Sequence, residues 1–192
     1  MVPVTTQAHE LVQRFLSVGD LAIDATAGNG HDTLFLAQQV GPTGKILAFD
    51  IQQEACDRCR ERVENLQFDH VKILCADHQN LKEHLDPQDH GKVSAVMFNL
   101  GYLPGSPRDI ITHSVSTIRA LDAALSVLRP GGVLSVVIYR GHPGGLEEAT
   151  AVQQWMHSAI MQGHRDPLES PQAPSERGPQ LLALQKAISS PG

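Results

Sequence analysis

The sequence predicts an α/β fold in which helices cover both faces of a mostly parallel sheet. Short apolar runs of strand length alternate along the chain with longer stretches whose apolar residues recur at helical spacing. Parallel strands need crossover helices, and this alternation is the pattern that such units produce. A chain of 192 residues is long enough for one well-buried domain and short for two, so we predict a single domain over residues 1–192.

Six runs have the composition of strands, and five stretches between them have helical periodicity. The predicted strands are residues 21–25, 45–49, 71–76, 93–98, 132–139 and 181–185. The predicted helices are residues 5–18, 32–40, 52–66, 112–128 and 146–162. Four prolines, at positions 167, 171, 174 and 179, predict an exposed loop over residues 165–180 before the last strand.

Composition argues against several classes of protein. No apolar segment approaches the roughly 20 residues needed to cross a bilayer, and the N-terminus lacks the basic and apolar regions of a signal peptide. Three cysteines, an odd number, suit a reducing compartment. We therefore expect a cytoplasmic protein without membrane contact. Cys56 and Cys59 form a C-x-x-C in a helical stretch, but no second pair completes a zinc site, so we predict no metal.

The net charge of −6 does not indicate a nucleic-acid-binding surface, because phosphate contacts require Lys and Arg. It does not exclude one either. A small enzyme that touches one loop of a folded RNA needs only a local basic rim, and net charge does not report where the charges lie.

A glycine-bearing turn follows the first predicted strand and leads directly into a helix. Gly28 and Gly30 permit positive φ and a close approach of the backbone to a ligand, near the free N–H groups of the helix N-terminus. The pattern D-x-x-x-G-x-G from Asp24 resembles the first motif of class I S-adenosylmethionine (SAM) methyltransferases. Thr33 stands where a dinucleotide site prefers a third glycine, and no P-loop lysine is present. Another nucleotide, or a purely structural turn, remains an alternative.

Two further acidic residues follow the second and third strands. Asp50 lies about 20 residues after the glycine turn, where a carboxylate can accept hydrogen bonds from both ribose hydroxyls. Asp77 can accept a hydrogen bond from an adenine amino group. Each of these aspartates can instead cap the helical turn that follows it. We also expect Gln52 to contact the cofactor.

Two loops that follow later strands are candidates for substrate binding, because ligands bind at the carboxyl edge of an open α/β sheet. The first is Asn99-Leu100-Gly101-Tyr102, in which Asn99 offers an amide oxygen and Tyr102 offers a flat aromatic face. The second contains His142 between glycines and a proline. His142 is a general base, a hydrogen-bond partner of the substrate or a loop residue. A structural loop is the alternative for both segments.

Four motifs in order resemble the YtqB/MnmM family of class I methyltransferases, which were long labelled rRNA methylases. They are D-A-T-A-G-N-G-H-D from Asp24, F-D-I-Q from Phe49, M-F-N-L-G-Y-L-P-G from Met97 and Y-R-G-H-P-G-G from Tyr139. The resemblance implies a Rossmann-like class I fold, for which we expect a seven-stranded sheet. It also implies SAM as cofactor and, as substrate, a tRNA whose wobble 5-aminomethyl-2-thiouridine becomes 5-methylaminomethyl-2-thiouridine. A homodimer is a weaker implication.

The resemblance and the positions of these residues together define the expected site. The residues expected to bind the cofactor are Asp24, Thr26, Gly28, Asn29, Gly30, Asp32, Asp50, Gln52, Asp77, His78 and Asn99. The residues expected to act on or bind the substrate, the anticodon stem-loop of tRNA, are Asn99, Tyr102, Arg140 and His142. Methylation of rRNA or of a small-molecule amine, and a non-catalytic SAM-binding module, are the alternative functions.

Overall fold

The computed structural model describes residues 2–101, 114–141, 143–168 and 178–188. Helices and strands alternate along most of the chain, as the sequence predicts, although only short 3₁₀ turns lie between the third and fourth strands. The helices are α1 (Val4–Val12), α2 (His31–Val40), α3 (Gln53–Asn65), α4 (Ser114–Val127) and α5 (Gly145–Met161). The strands are β1 (Leu21–Asp24), β2 (Lys45–Asp50), β3 (Val71–Cys75), β4 (Val93–Leu100), β5 (Leu128–Ile138) and β6 (Gln180–Gln185).

The strands form one sheet in the order β3-β2-β1-β4-β5-β6. The first five strands are parallel, and β6 runs antiparallel to β5. The chain leaves β3 at one edge and returns to the other side of β1, so the strand order reverses between β1 and β4. Open α/β sheets bind ligands in the crevice at such a reversal, next to the carboxyl ends of the two strands. The topology therefore places a site where Asp24 and Leu100 end their strands.

The prediction of seven strands is wrong for the part of the chain that the structure describes, which contains six. Between α5 and β6 the described residues contribute a single isolated bridge, from Arg165 to Gln185. Pro167 follows two residues later and has no N–H with which to extend a ladder. The prediction of helices around a mostly parallel sheet is confirmed.

The sheet separates two hydrophobic layers, because side chains alternate along each strand. On β4, Val96 and Phe98 pack in a layer with residues of α4 and α5. Ala95 and Met97 pack in the opposite layer with residues of α1 and α2. Helix α3 covers the outer part of the sheet through Cys59 and Val63, next to Ala27 and Ala48. The central strands are thus buried on both faces, as a parallel sheet requires.

Candidate cofactor and substrate site

Backbone hydrogen bonds join the glycine turn after β1 to the two neighbouring strands, β4 and β2. The N–H of Ala25 donates to the carbonyl of Met97 at 2.8 Å, and the N–H of Ala27 donates to the carbonyl of Phe49 at 2.7 Å. Gly28 and Gly30 have φ of 52° and 82°, in the left-handed region that favours glycine. Gly30 is the residue that precedes α2. The turn therefore presents its backbone and the start of α2 toward the carboxyl edge of the sheet.

Packing explains why position 30 is a glycine. A Cβ atom there would lie 3.1 Å from Sγ and 3.3 Å from Cα of Cys59 on α3. Both distances are tighter than ordinary van der Waals contact, and one of them is to backbone. The turn is thus packed against α3 at Gly30.

Asp24 is the last residue of β1, and its side chain contacts the glycine turn and α2. Its side chain has no exposed surface and accepts hydrogen bonds from Thr33 Oγ1 at 2.6 Å and from the N–H of Thr26 at 3.1 Å. Burial raises the pKa of Asp24 to about 7, and the charge of Asp32 adds to this increase. The structure therefore places Asp24 among protein groups, and its expected contact with the cofactor stays a prediction.

Asp50 connects the end of β2 to both flanking segments. Its Oδ2 accepts a hydrogen bond from the N–H of Gly28, and its Oδ1 accepts one from the N–H of Gln52, each at 2.9 Å. Gln52, not Asp50, is the residue that precedes α3, and it makes no side-chain cap. Each carboxylate oxygen can accept more than one hydrogen bond. Asp50 is half-buried and so keeps acceptor capacity for a diol at this edge.

Asp77 acts as the cap that the alternative interpretation predicted. Its carboxylate accepts hydrogen bonds from the N–H and from Nε2 of Gln79, at 2.9 and 2.8 Å. His78 is buried, its Nδ1 lies 3.1 Å from the carbonyl of Ala25, and its ring packs edge-on against Phe98. Burial lowers the pKa of His78. Their expected cofactor contacts stay predictions.

Asn99 lies inside β4 rather than in the loop after it, because β4 continues its pairing with β5 as far as Leu100. Its N–H donates to Thr26 Oγ1 at 2.6 Å, which joins β4 to the glycine turn. Its Nδ2 donates to Oδ2 of Asp32. Its Oδ1 is buried and accepts no hydrogen bond from any residue that the structure describes. A buried carbonyl without a donor is costly, so Oδ1 is a candidate acceptor for a ligand N–H.

Asp32 and His9 form a contact that the sequence did not indicate. Asp32 lies in the first turn of α2 and is 6% exposed, and its Oδ1 is 2.7 Å from Nε2 of His9. The ring of His9, on α1, stacks on Phe35 with a centroid distance of 3.9 Å. Ala8 and Leu11, at helical spacing, form the buried side of α1. This spacing does not indicate that the neighbouring polar residue His9 contacts another helix.

Tyr139 is a second residue that sequence reasoning did not select. It follows β5, its N–H donates to the carbonyl of Leu100 at 3.0 Å, and 36% of its surface is exposed. Burial of the phenol raises its pKa, and the charge of Asp32 contributes in the same direction. Its neighbour Arg140 donates to Oε1 of Gln180 on β6. The other substrate residues, Tyr102 and His142, lie outside the described residues.

The described residues fit SAM by their chemistry. The glycines of the turn permit a close approach of the backbone to a ligand, and Asp50 offers acceptors for a ribose diol. The buried oxygen of Asn99 lacks a donor among the described residues. Asn29 and Gly28 are half-buried at the same turn. Among the residues described, no group of three or more His, Cys, Asp or Glu side chains could hold a metal ion. Nor, in the described part of the chain, is any helix long and apolar enough to cross a membrane.

Comparison with solved structures finds the same fold over almost the whole chain. A Clostridium thermocellum protein titled "putative rRNA-methylase" is 34% identical, with a TM-score of 0.88 over 97% of this chain and 98% of that one. A Streptococcus mutans "putative methyltransferase", solved in complex with SAH, is 30% identical, with a TM-score of 0.83 over 97% of this chain and 99% of that one.

A curated relative extends the comparison to a plant. The chloroplastic tRNA (mnm5s2U34)-methyltransferase of Arabidopsis thaliana is 39% identical over 158 residues, which are 78% of this chain and 57% of that protein. The chain spans little more than half the length of the curated relatives that it matches.

The sheet order, the glycine turn after β1 and the carboxylate at the end of β2 define the class I SAM-dependent methyltransferase fold. Within this class, residues 46–184 match the family described as "Putative rRNA methylase". The chain belongs to that family.

Proposed function

We propose that this protein is a SAM-dependent N-methyltransferase that acts on the wobble uridine of tRNA. The substrate is a 5-aminomethyl-2-thiouridine, and the product is its methylaminomethyl form. The buried oxygen of Asn99 is the observation on which this proposal depends: it accepts no hydrogen bond from the described residues, whereas the amide nitrogen is held by Asp32. An amine carries the N–H that such an oxygen needs.

The name of the Arabidopsis relative supports the choice of nucleoside, and the complex of the Streptococcus mutans protein with SAH supports the choice of cofactor. We propose that Asp50 and Gln52 bind the ribose and that the glycine turn, Gly28 to Gly30, faces the methionine part. SAM, when bound, supplies a methyl group that a sulfonium has already activated.

The chain's own residues then have to orient the amine and to expose its lone pair. An alkylamine is mostly protonated near neutral pH, so it must lose a proton before it attacks. Oδ1 of Asn99 accepts one remaining N–H and so directs the nitrogen lone pair toward the methyl carbon. Methyl transfer would form the N–C bond while the bond between the methyl carbon and the sulfonium sulfur breaks. The sulfur would keep the bonding electron pair and leave as the neutral thioether of S-adenosylhomocysteine, and the secondary ammonium would then release its extra proton. His142 relays these protons or lines the pocket, and Tyr102 stacks on the base.

Methyl transfer from labelled SAM, followed by mass spectrometry of the nucleosides, tests the proposal. The substrate is tRNA that carries the unmethylated aminomethyl nucleoside, and fully modified tRNA and rRNA are the controls. We expect label in methylaminomethyl-2-thiouridine alone. Label in rRNA, or in no RNA despite measured SAM binding, would contradict the proposal.

We also propose that the protein recognises the anticodon stem-loop of the tRNA, that it forms a homodimer and that it is located in the cytoplasm. An isolated anticodon stem-loop that carries the aminomethyl nucleoside is expected to be a substrate. Light scattering of the purified chain measures its oligomeric state, and fractionation of the source cells locates it. A monomer, or a protein found only in another compartment, would overturn the corresponding proposal.

A further inference from the structure

His9, Asp32 and Asn99 form a continuous chain of side-chain contacts from α1 through α2 to β4. Nε2 of His9 is 2.7 Å from Oδ1 of Asp32, and Nδ2 of Asn99 donates to Oδ2 of the same carboxylate. The two contacts link residues 23 and 67 positions apart in the sequence. Both carboxylate oxygens of Asp32 are therefore engaged by protein groups.

This arrangement determines which end of the Asn99 amide has no hydrogen-bond partner among the described residues. A carboxylate only accepts hydrogen bonds, so the amide group that faces Asp32 is the NH₂ group. The oxygen then lies at the other end, where none of the described residues donates to it. The two ends of a side-chain amide are nearly equal in size, so packing alone does not select between them.

The orientation matters for an amine substrate. In the observed orientation Oδ1 accepts an N–H of the amine and leaves the lone pair of the nitrogen free. After a half-turn of the amide, Nδ2 would face the amine and donate to that lone pair. An amine whose lone pair accepts a hydrogen bond is a poor nucleophile, so the rotated amide would oppose the reaction.

We infer that Asp32 and His9 are positioning residues, which keep the Asn99 carbonyl oxygen directed at the substrate amine. This inference rests on the proposed function. His9 acts through Asp32 and Asp32 acts through Asn99, and neither touches the reacting atoms. Because His9 also stacks on Phe35, its hydrogen bond and its packing have to be separated experimentally.

Two substitutions at position 9 separate them. His9→Phe keeps a flat ring to stack on Phe35 and removes the nitrogen. His9→Gln carries an N–H near the position of Nε2 and removes the ring. We expect His9→Phe to lower kcat by about tenfold to about a hundredfold, as small misplacements of a catalytic group do, with an unchanged SAM dissociation constant. We expect His9→Gln to recover most of this loss. The opposite ranking would mean that His9 serves packing alone, and would overturn the inference.

An exchange of the two polar residues tests Asp32. In Asp32→Asn, the side chain that faces Asn99 becomes an amide, which can either donate or accept a hydrogen bond. In Asn99→Asp, two carboxylates face each other. In the double variant the new amide at position 32 donates to one oxygen of the new carboxylate at position 99, whose other oxygen accepts the amine. We therefore expect the double variant to be more active than either single variant. A double variant no better than Asp32→Asn would overturn the inference, since it would show that the contact between positions 32 and 99 does not set the activity.

A spectroscopic measurement separates failure of this inference from failure of the proposed function. The side-chain amide of Asn99 is assigned in ¹⁵N spectra of the free protein by its loss in Asn99→Ala. We expect one of its protons to be shifted downfield and protected from exchange, in wild type and in His9→Gln, but not in His9→Phe. His157→Phe, at an exposed position of α5, is the control. If the wild type methylates no tRNA, the proposed function fails, and the spectra still decide on the positioning. An exposed, freely exchanging Asn99 amide in wild type would overturn the inference.

Discussion

The N–H of Gly28 donates to Oδ2 of Asp50 at 2.9 Å, so the glycine turn after β1 and the end of β2 form one unit. The other oxygen of Asp50 holds the N–H of Gln52, immediately before α3. A single carboxylate thereby fixes the spacing of two segments that both face the carboxyl edge of the sheet. Loss of this carboxylate should affect the cofactor before it affects the chemistry.

We expect Asp50→Ala to weaken SAM binding by about tenfold to about a hundredfold, because it removes the acceptor proposed for the ribose and the hydrogen bond to the turn. Asp50→Asn keeps one acceptor and should lie between this variant and wild type. Isothermal titration calorimetry with SAM measures the change. Asp57→Asn, at an exposed position of α3, is the control, and equal affinities for Asp50→Ala and this control would rule out the assignment.

Asn99→Ala should lower kcat with little change in SAM affinity, because it removes the acceptor that we propose for the amine and keeps the strand. The backbone N–H that donates to Thr26 is present in the variant. The expected loss is about a hundredfold or more, comparable with the removal of one well-placed group in an active site. Single-turnover rates with saturating SAM measure it. Turnover equal to that of wild type would remove Asn99 from the mechanism.

Gly30→Ala should destabilise the protein more than Gly91→Ala. Both glycines have positive φ, 82° and 75°, so both substitutions incur the conformational cost of a left-handed alanine, about 1–2 kcal/mol. A Cβ on Gly30 also meets Cys59 at 3.1 Å, whereas a Cβ on Gly91 meets nothing within 4 Å. Denaturant unfolding of the two variants isolates the packing term. Equal losses in the free energy of unfolding would show that α3 shifts at this contact without a cost in stability.

Asp24→Asn should change the pH dependence of stability. The pKa of Asp24 is about 7 in the folded protein and about 3.9 in an unfolded chain, so the folded state binds the extra proton between these values. The stability contribution of Asp24 is therefore complete below about pH 4 and is lost as pH rises through about 7. The free energy of unfolding of Asp24→Asn minus that of wild type should rise over this interval.

Unfolding in urea at several pH values between about 4 and about 8, which bracket the two pKa values, measures this difference. Asn cannot titrate, and the hydrogen bonds that it loses to Thr26 or Thr33 add an offset that does not depend on pH. Asp57→Asn gives the response of an exposed carboxylate. A difference between Asp24→Asn and wild type that stays constant across the range would contradict the raised pKa.

Tyr139→Ala should raise KM for tRNA by about tenfold, whereas Tyr139→Phe should have the same KM for tRNA as wild type. Tyr139 pairs through its backbone N–H with Leu100 at the end of β4, and its partly exposed ring offers a surface on which a base can stack. Stacking contributes about 1–3 kcal/mol per base. Steady-state kinetics with tRNA as the varied substrate measures this. If Tyr139→Phe and Tyr139→Ala raised KM for tRNA by similar factors, the hydroxyl group and not the ring would contribute to tRNA binding, and the prediction would be wrong.

Much of the fold could be predicted from local patterns. The boundaries of β1, β2, β3 and β6 were predicted to within one residue, because apolar runs bordered by Gly, Asp or Pro have few alternative conformations. The seven-stranded sheet was wrong because that number came from the class, whereas periodicity itself marked six strands. Asn99 was placed just beyond its strand because only its partner β5 shows how far the ladder continues.

The sequence by itself determined the glycine turn, the acidic residue at the end of β2 and the family of this chain, since each of these depends on short motifs of neighbouring residues. Only the tertiary structure decided what each polar group contacts. Asp24 is buried beneath the turn, Asp77 caps its own helical turn, and Asp32 joins His9 to Asn99. The physical reason is that a hydrogen bond acts over about 3 Å. Which donors come within that distance of an acceptor depends on how the helices pack on the sheet, and no local pattern records this packing.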